Sequence, residues 1–104
     1  MARFDVYPNP DADERRHTPF VLDVQNDYLG PMESRVVIPL RSPQFIGPPV
    51  RDINPQWLIE GKTVVLDTAH IAAVHVHHLR RPVARLDQQR GDVLLALDTL
   101  FGGF

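Results

Sequence analysis

Apolar and polar positions along the chain form short runs of strand period first and a single run of helical period last. Residues 3–7 (Arg3-Phe4-Asp5-Val6-Tyr7) alternate, with Phe4 and Val6 on one face, and predict a strand. Residues 19–25 (Pro19-Phe20-Val21-Leu22-Asp23-Val24-Gln25) are almost continuously apolar, which predicts a second strand covered on both faces. Residues 35–40 (Arg35-Val36-Val37-Ile38-Pro39-Leu40) predict a third, and Pro39, with no N–H for a ladder, places its end at a sheet edge or bulge. Residues 56–59 and 63–66 flank Glu60-Gly61-Lys62 and predict a hairpin. Residues 71–79 alternate Val74 and Val76 against His75 and His77, which predicts a further strand with His78 on the opposite face. Between these runs, the charged residues 11–16 read as a solvated loop and residues 26–31 as a turn. Residues 41–55, dominated by proline and glycine, read as a long ordered loop with no element of its own, and residues 80–85 as a lead into the terminal helix.

In the last twenty residues the apolar period lengthens. Val93, Ala96, Leu97 and Leu100 recur at helical spacing and make one stripe, enough to seat a helix on a sheet. Leu94 and Phe101 fall on a flank of the stripe and Leu95 on the far side, so these are surplus apolar surface; Asp92, Asp98 and Thr99 lie between. Asp87 is placed to cap the N-terminus, and Gly102-Gly103 to stop the helix where φ > 0 costs little, leaving Phe104 bare at the end. Strands first and one helix last predict an α+β fold, with the helix packed on a mostly antiparallel sheet and residues 1–104 forming a single domain.

Composition narrows the classes. A chain of 104 residues builds one core, yet is small enough that a dimer interface adds useful burial. Its 43% hydrophobic and 23% charged residues are those of a globular protein. A formal net charge of −2 and a pI near 6.2 argue against a nucleic-acid face spread over the domain. Without cysteine there is no disulfide framework and no thiol catalysis. With no signal peptide and no apolar run near the ~18 residues of a membrane span, the expectation is a soluble cytoplasmic protein.

Candidate chemistry is sparse. His75-X-His77 on one strand face, with His70 near in sequence, has chelating spacing but lacks a cysteine or well-placed carboxylate, and a solvated strand face accounts for it. Asp23, Asp27, Asp67, Asp92 and Asp98 all stand near turns or helix positions that favour Asp, with no pair spaced for acid–base work. Arg15-Arg16 and Arg80-Arg81 are balanced by neighbouring acids. No catalytic residue, metal or cofactor is expected.

Several segments resemble the CcdB toxin family. Residues 20–27 (Phe20-Val21-Leu22-Asp23-Val24-Gln25-Asn26-Asp27) and 35–40 are similar to that family's F-V-D-V-Q-S-D and R-M-V-I-P-L segments, and Phe4-Asp5-Val6-Tyr7 resembles its opening F-K-V-Y. Leu66-Asp67-Thr68-Ala69 sits where the family has T-T-D-M, and Val83-Ala84-Arg85-Leu86 and the helix ending in Leu100-Phe101 also match in type. The resemblance covers nearly the whole chain except the loops at 9–17 and 42–56. It implies a small CcdB/MazF-like (SH3-like) antiparallel sheet barrel with one C-terminal helix, assembled as a symmetric dimer. It also implies the toxin of a type II toxin–antitoxin pair, of the kind carried for plasmid maintenance. Such a toxin binds the DNA gyrase A subunit and traps the cleavage complex, a topoisomerase poison, until a CcdA-like antitoxin neutralises it.

Carried over by position, the resemblance assigns gyrase contact to Asn26, Tyr28 and Leu29 on one loop, and to Asp98, Phe101, Gly102, Gly103 and Phe104 at the helix end. Antitoxin contact falls on Leu94, Asp98 and Phe101. The family ends in Trp-Gly-Ile after its Phe; here Gly102 stands at the Trp and Phe104 at the Ile. An interfacial Trp is worth ~2 kcal/mol or more. Three alternatives follow: a protein of this fold that keeps antitoxin binding while gyrase poisoning is lost or redirected, a MazF-like ribonuclease, and a histidine-based metal binder.

Overall fold

The structure, a computed structural model, describes residues 1–102, so Gly103 and Phe104 lie outside the described residues. Strands β1 (Asp5–Pro8), β2 (Phe20–Asp23), β3 (Ser34–Arg41), β4 (Gln56–Ile59), β5 (Lys62–Leu66), β6 (Ala72–His75) and β7 (Ala84–Arg85) precede helix α1 (Arg90–Phe101). All pairings are antiparallel, in the order β4-β5-β3-β2-β1-β7 with β6 on β3, and the sheet curls into a nearly closed barrel carrying one helix. This is the expected α+β architecture.

Register explains the core. Val6 pairs with Leu22 and Leu22 with Ile38, so one row of side chains crosses three strands into the interior, where Val93 and Ala96 of α1 join it. The adjoining row, Tyr7 and Val21 with Val37 nearby, faces the other way and is buried with Leu79. β2 is therefore covered on both faces, as its continuous apolar run implied. Each such side chain contributes about 1.5–3 kcal/mol on burial. In the hairpin, Glu60 and Gly61 form a two-residue turn with φ of 50° and 77°, the left-handed pair that matches strand twist.

Several elements differ from expectation, each for a local reason. Pro39 is not at an edge: β3 is paired on both sides, and Pro39 lies where its neighbour changes from β5 (partners of 40 and 41) to β6 (partners of 34 to 37), so its missing N–H is not needed. The strand read over residues 71–79 stops at His75, because the His75 ring accepts the His77 N–H at 3.2 Å and closes the 3-10 turn Val76–His78. β7 was hidden inside the lead to the helix; its residues Ala84 and Arg85 pair with Val6 and Asp5. Residues 41–55 contain the short 3-10 turn Pro43–Phe45. Asp87 does not cap α1: it begins a 3-10 turn, Asp87–Gln89, and Gln89 precedes the helix with no side-chain cap. The stop at Gly102 is as expected, with φ 70° and its N–H donated to the Asp98 carbonyl.

Candidate docking surfaces at the Tyr28 turn and the end of α1

Two places on the surface combine exposed apolar groups with a defined backbone. The first is the 3-10 turn Asp27–Leu29, capped by the Asn26 carboxamide, which accepts the Tyr28 N–H at 3.0 Å. Tyr28 is 88% exposed, and Leu29 and Met32 stand beside it in solvent. Beneath the turn lies a buried charge pair. Arg35, only 1% exposed, donates from Nε and Nη2 to the two Asp23 carboxylate oxygens at 2.8 and 2.9 Å, and from Nη2 to the Gln25 carbonyl at 3.3 Å. Burial pushes the Asp23 carboxyl up from its ordinary range, against the pull of Arg35 and the Gln25 N–H. Burial also opposes charge on Arg35, but the Asp23 carboxylate outweighs it and holds the guanidinium protonated. Tyr7, packed nearby, has its phenol pushed up to about 12, first by burial and then by the Asp5 and Asp23 carboxylates.

The second place is the outer face of α1. Val93 and Ala96 are fully buried and Leu97 packs on the core, so the helix turns Leu94, Asp98 and Phe101, spaced i, i+4, i+7, outward; Phe101 is 69% exposed. Leu95 on the far side lines a cavity of about 350 Å³ with Val50, Asp52 and Asp92. The helix has no basic residue in its last turn, so its negative end and Asp98 are uncompensated there. The principal neighbours of α1 outside the core are the turns Thr68–His70 and Asp87–Gln89. Gly103 and Phe104, named with this site on sequence grounds, lie outside the described residues.

The remaining candidates resolve differently. His75, His77 and His78 do not divide between two strand faces; they gather at the Val76–His78 turn, with His75 ring centroids 4.5 and 6.2 Å from the other two. Among the described residues no three His, Cys, Asp or Glu side chains are arranged to hold a metal ion. His70 instead joins Arg41 on Asp67, its Nδ1 2.8 Å and the Arg41 Nε 2.9 Å from the same carboxylate oxygen. Asp67 and Asp23 are turn residues, as their positions suggested, and buried partners of cations as well: Asp67 leads into the 3-10 turn Thr68–His70, and Asp23 Oδ1 accepts the Gln25 N–H at 3.0 Å. The available signal was an acid inside an almost wholly apolar run, which needs a counter-charge. Asp92 and Asp98 are exposed on the helix. No helix among the described residues is long and apolar enough to cross a membrane.

No curated protein matches the sequence. The family model described as CcdB protein matches residues 3–103, from the first residue of the expected β1 run to the glycine pair after α1. The chain belongs to the CcdB protein family.

Proposed function

We propose that this protein is the toxin of a toxin–antitoxin pair, acting as a cytoplasmic homodimer of one domain that binds the DNA gyrase A subunit and traps the cleavage complex, and that a CcdA-like antitoxin neutralises it. The observation that carries the reading is the exposure of two aromatic side chains, Tyr28 and Phe101, at positions where the family resemblance puts target contacts. Exposed aromatics on ordered backbone are the usual anchors of a protein interface. Action by binding also suits the charge distribution. The trough of about 470 Å³ across the outer sheet face sets Asp11 and Glu14 against Arg41, which does not suit an RNA backbone and weighs against the ribonuclease alternative. Antitoxin would fold along Leu94, Asp98 and Phe101, an apolar ridge suited to a disordered tail.

A second reading, retained antitoxin binding without gyrase poisoning, draws on Gly102. It fills the place of the family Trp and serves as the left-handed helix stop with φ 70°. Nothing among the described residues lies within 4 Å of a Cβ added there, so a side chain can begin there at a backbone cost of about 1 kcal/mol. A gyrase supercoiling and cleavage-complex assay separates the readings. The first predicts trapped cleaved DNA that diminishes at least tenfold with Tyr28→Ala or Phe101→Ala; the second predicts none until Gly102→Trp is introduced. Antitoxin relief of growth arrest is expected only under the first.

A further inference from the structure

The Tyr28 turn is tied to the sheet interior by two routes that meet at one side chain. On the first, Arg35 Nη2 lies 3.5 Å from the Asp27 Oδ1, and that same oxygen accepts the Arg3 N–H at 2.8 Å. On the second, Gln25, whose carbonyl accepts from Arg35, spans β3 and the turn: its Oε1 accepts the Val36 N–H at 2.9 Å and its Nε2 donates to the Leu29 carbonyl at 3.4 Å. Arg35 keeps its Nε and one Nη2 bond on Asp23 throughout, so the guanidinium cannot pivot without breaking a buried pair. A third feature points the same way. Phe4, next to the Arg3 clipped onto Asp27, has φ 73°, a costly conformation for a bulky side chain, and its N–H donates to the Asp23 carbonyl at 2.7 Å. The chain accepts strain at the N-terminal strap that braces this turn.

We infer that Arg35, buried and out of reach of any partner, is the positioning residue of the Tyr28 docking turn, acting through Asp27 and Gln25. This rests on the reading of the turn as a docking surface. A buried arginine that only held the sheet together would need Asp23 alone. The further bonds to the turn fix the direction in which Tyr28 and Leu29 project, so a partner meets an ordered anchor rather than ordering a loop on contact.

The test is hydrogen exchange at the Leu29 and Gly30 amides, which report the turn, relative to the Leu22 and Ile38 amides, which report the sheet. It is run on the full chain, on Asp27→Ala, and on Arg35→Lys, which keeps the charge but loses the fork. Asp27 is exposed, so its variant leaves the buried pair intact should Arg35→Lys fail to fold. The expected result is turn exchange at least tenfold faster relative to the sheet in Asp27→Ala, with the same change in Arg35→Lys if it folds. Unchanged turn-to-sheet ratios would overturn the inference. Purified gyrase A subunit is then titrated onto the same proteins. A tenfold or larger loss of affinity that parallels turn loosening is expected, and unchanged affinity with a loosened turn would contradict the positioning role. If the unmodified protein does not bind gyrase A, the proposed target falls, while the exchange ratio still decides whether Arg35 orders the turn.

Discussion

The Tyr28 turn and the end of α1 both put an aromatic into solvent, but the protein holds them by opposite means. The turn hangs from a buried ion pair, an amide side chain and a strained N-terminal strap, none of them apolar packing. The helix end is held by Val93 and Ala96 sunk in the core and by one glycine stop, with no side-chain cap at the helix N-terminus. A surface fixed by buried charges is directional and fails sharply when a partner is removed. A surface fixed by a greasy stripe tolerates local change, because the burial that holds it lies turns away from the tip.

The largest effect should come from breaking the pair under the turn. Asp23→Ala leaves Arg35 charged and buried without its closest counter-charge, and should cost about 3–5 kcal/mol in urea unfolding. No single change in the exposed end of α1 should approach that. A second effect separates the regions by pH. Tyr7 belongs to the charged neighbourhood of Asp5 and Asp23, and its folded-state value of about 12 lies above the ordinary 10.0. Its contribution is therefore complete below pH 10.0 and is lost as pH rises through about 12, roughly 2–3 kcal/mol at ~1.36 kcal/mol per unit. Alkaline unfolding of Tyr7→Phe should be flatter than that of the unmodified protein over this range. At the helix end, Gly102→Ala forces a side chain into φ 70° and should cost about 1 kcal/mol by thermal unfolding, without changing exchange at the Tyr28 turn. The smallest effect sharpens the contrast further. Asp87→Ala should change stability by less than about 0.5 kcal/mol, because that carboxylate caps nothing; a true cap would cost about 1 kcal/mol.

Much of the fold was legible because hydrophobic period alone encodes it: the strand runs at 3–7, 19–25 and 35–40, the hairpin at Glu60-Gly61, and the stripe and glycine stop of α1. What was not legible depended on partners distant in sequence. Asp23 and Arg35 are both present in the quoted motifs, but that they bond is a consequence of β2 lying against β3. β7 is only two residues long and exists because β1 offers an edge, so no period announces it. The alternation through His75 and His77 imitated a strand, and a ring nitrogen accepting a backbone N–H two residues on turned the chain instead. The exposure of Tyr28 and Phe101 was suggested by resemblance and by surplus apolar residues; the support beneath Tyr28 was not.

The central claim is that this chain docks on gyrase A through the Tyr28 turn and the end of α1. Its most direct test is a hydrogen-exchange footprint of the protein with and without purified gyrase A subunit. The account predicts protection at residues 26–30 and 94–102 and none at the histidine turn 76–78. Absence of any footprint, or protection confined to the histidine turn and the outer sheet face, would contradict it.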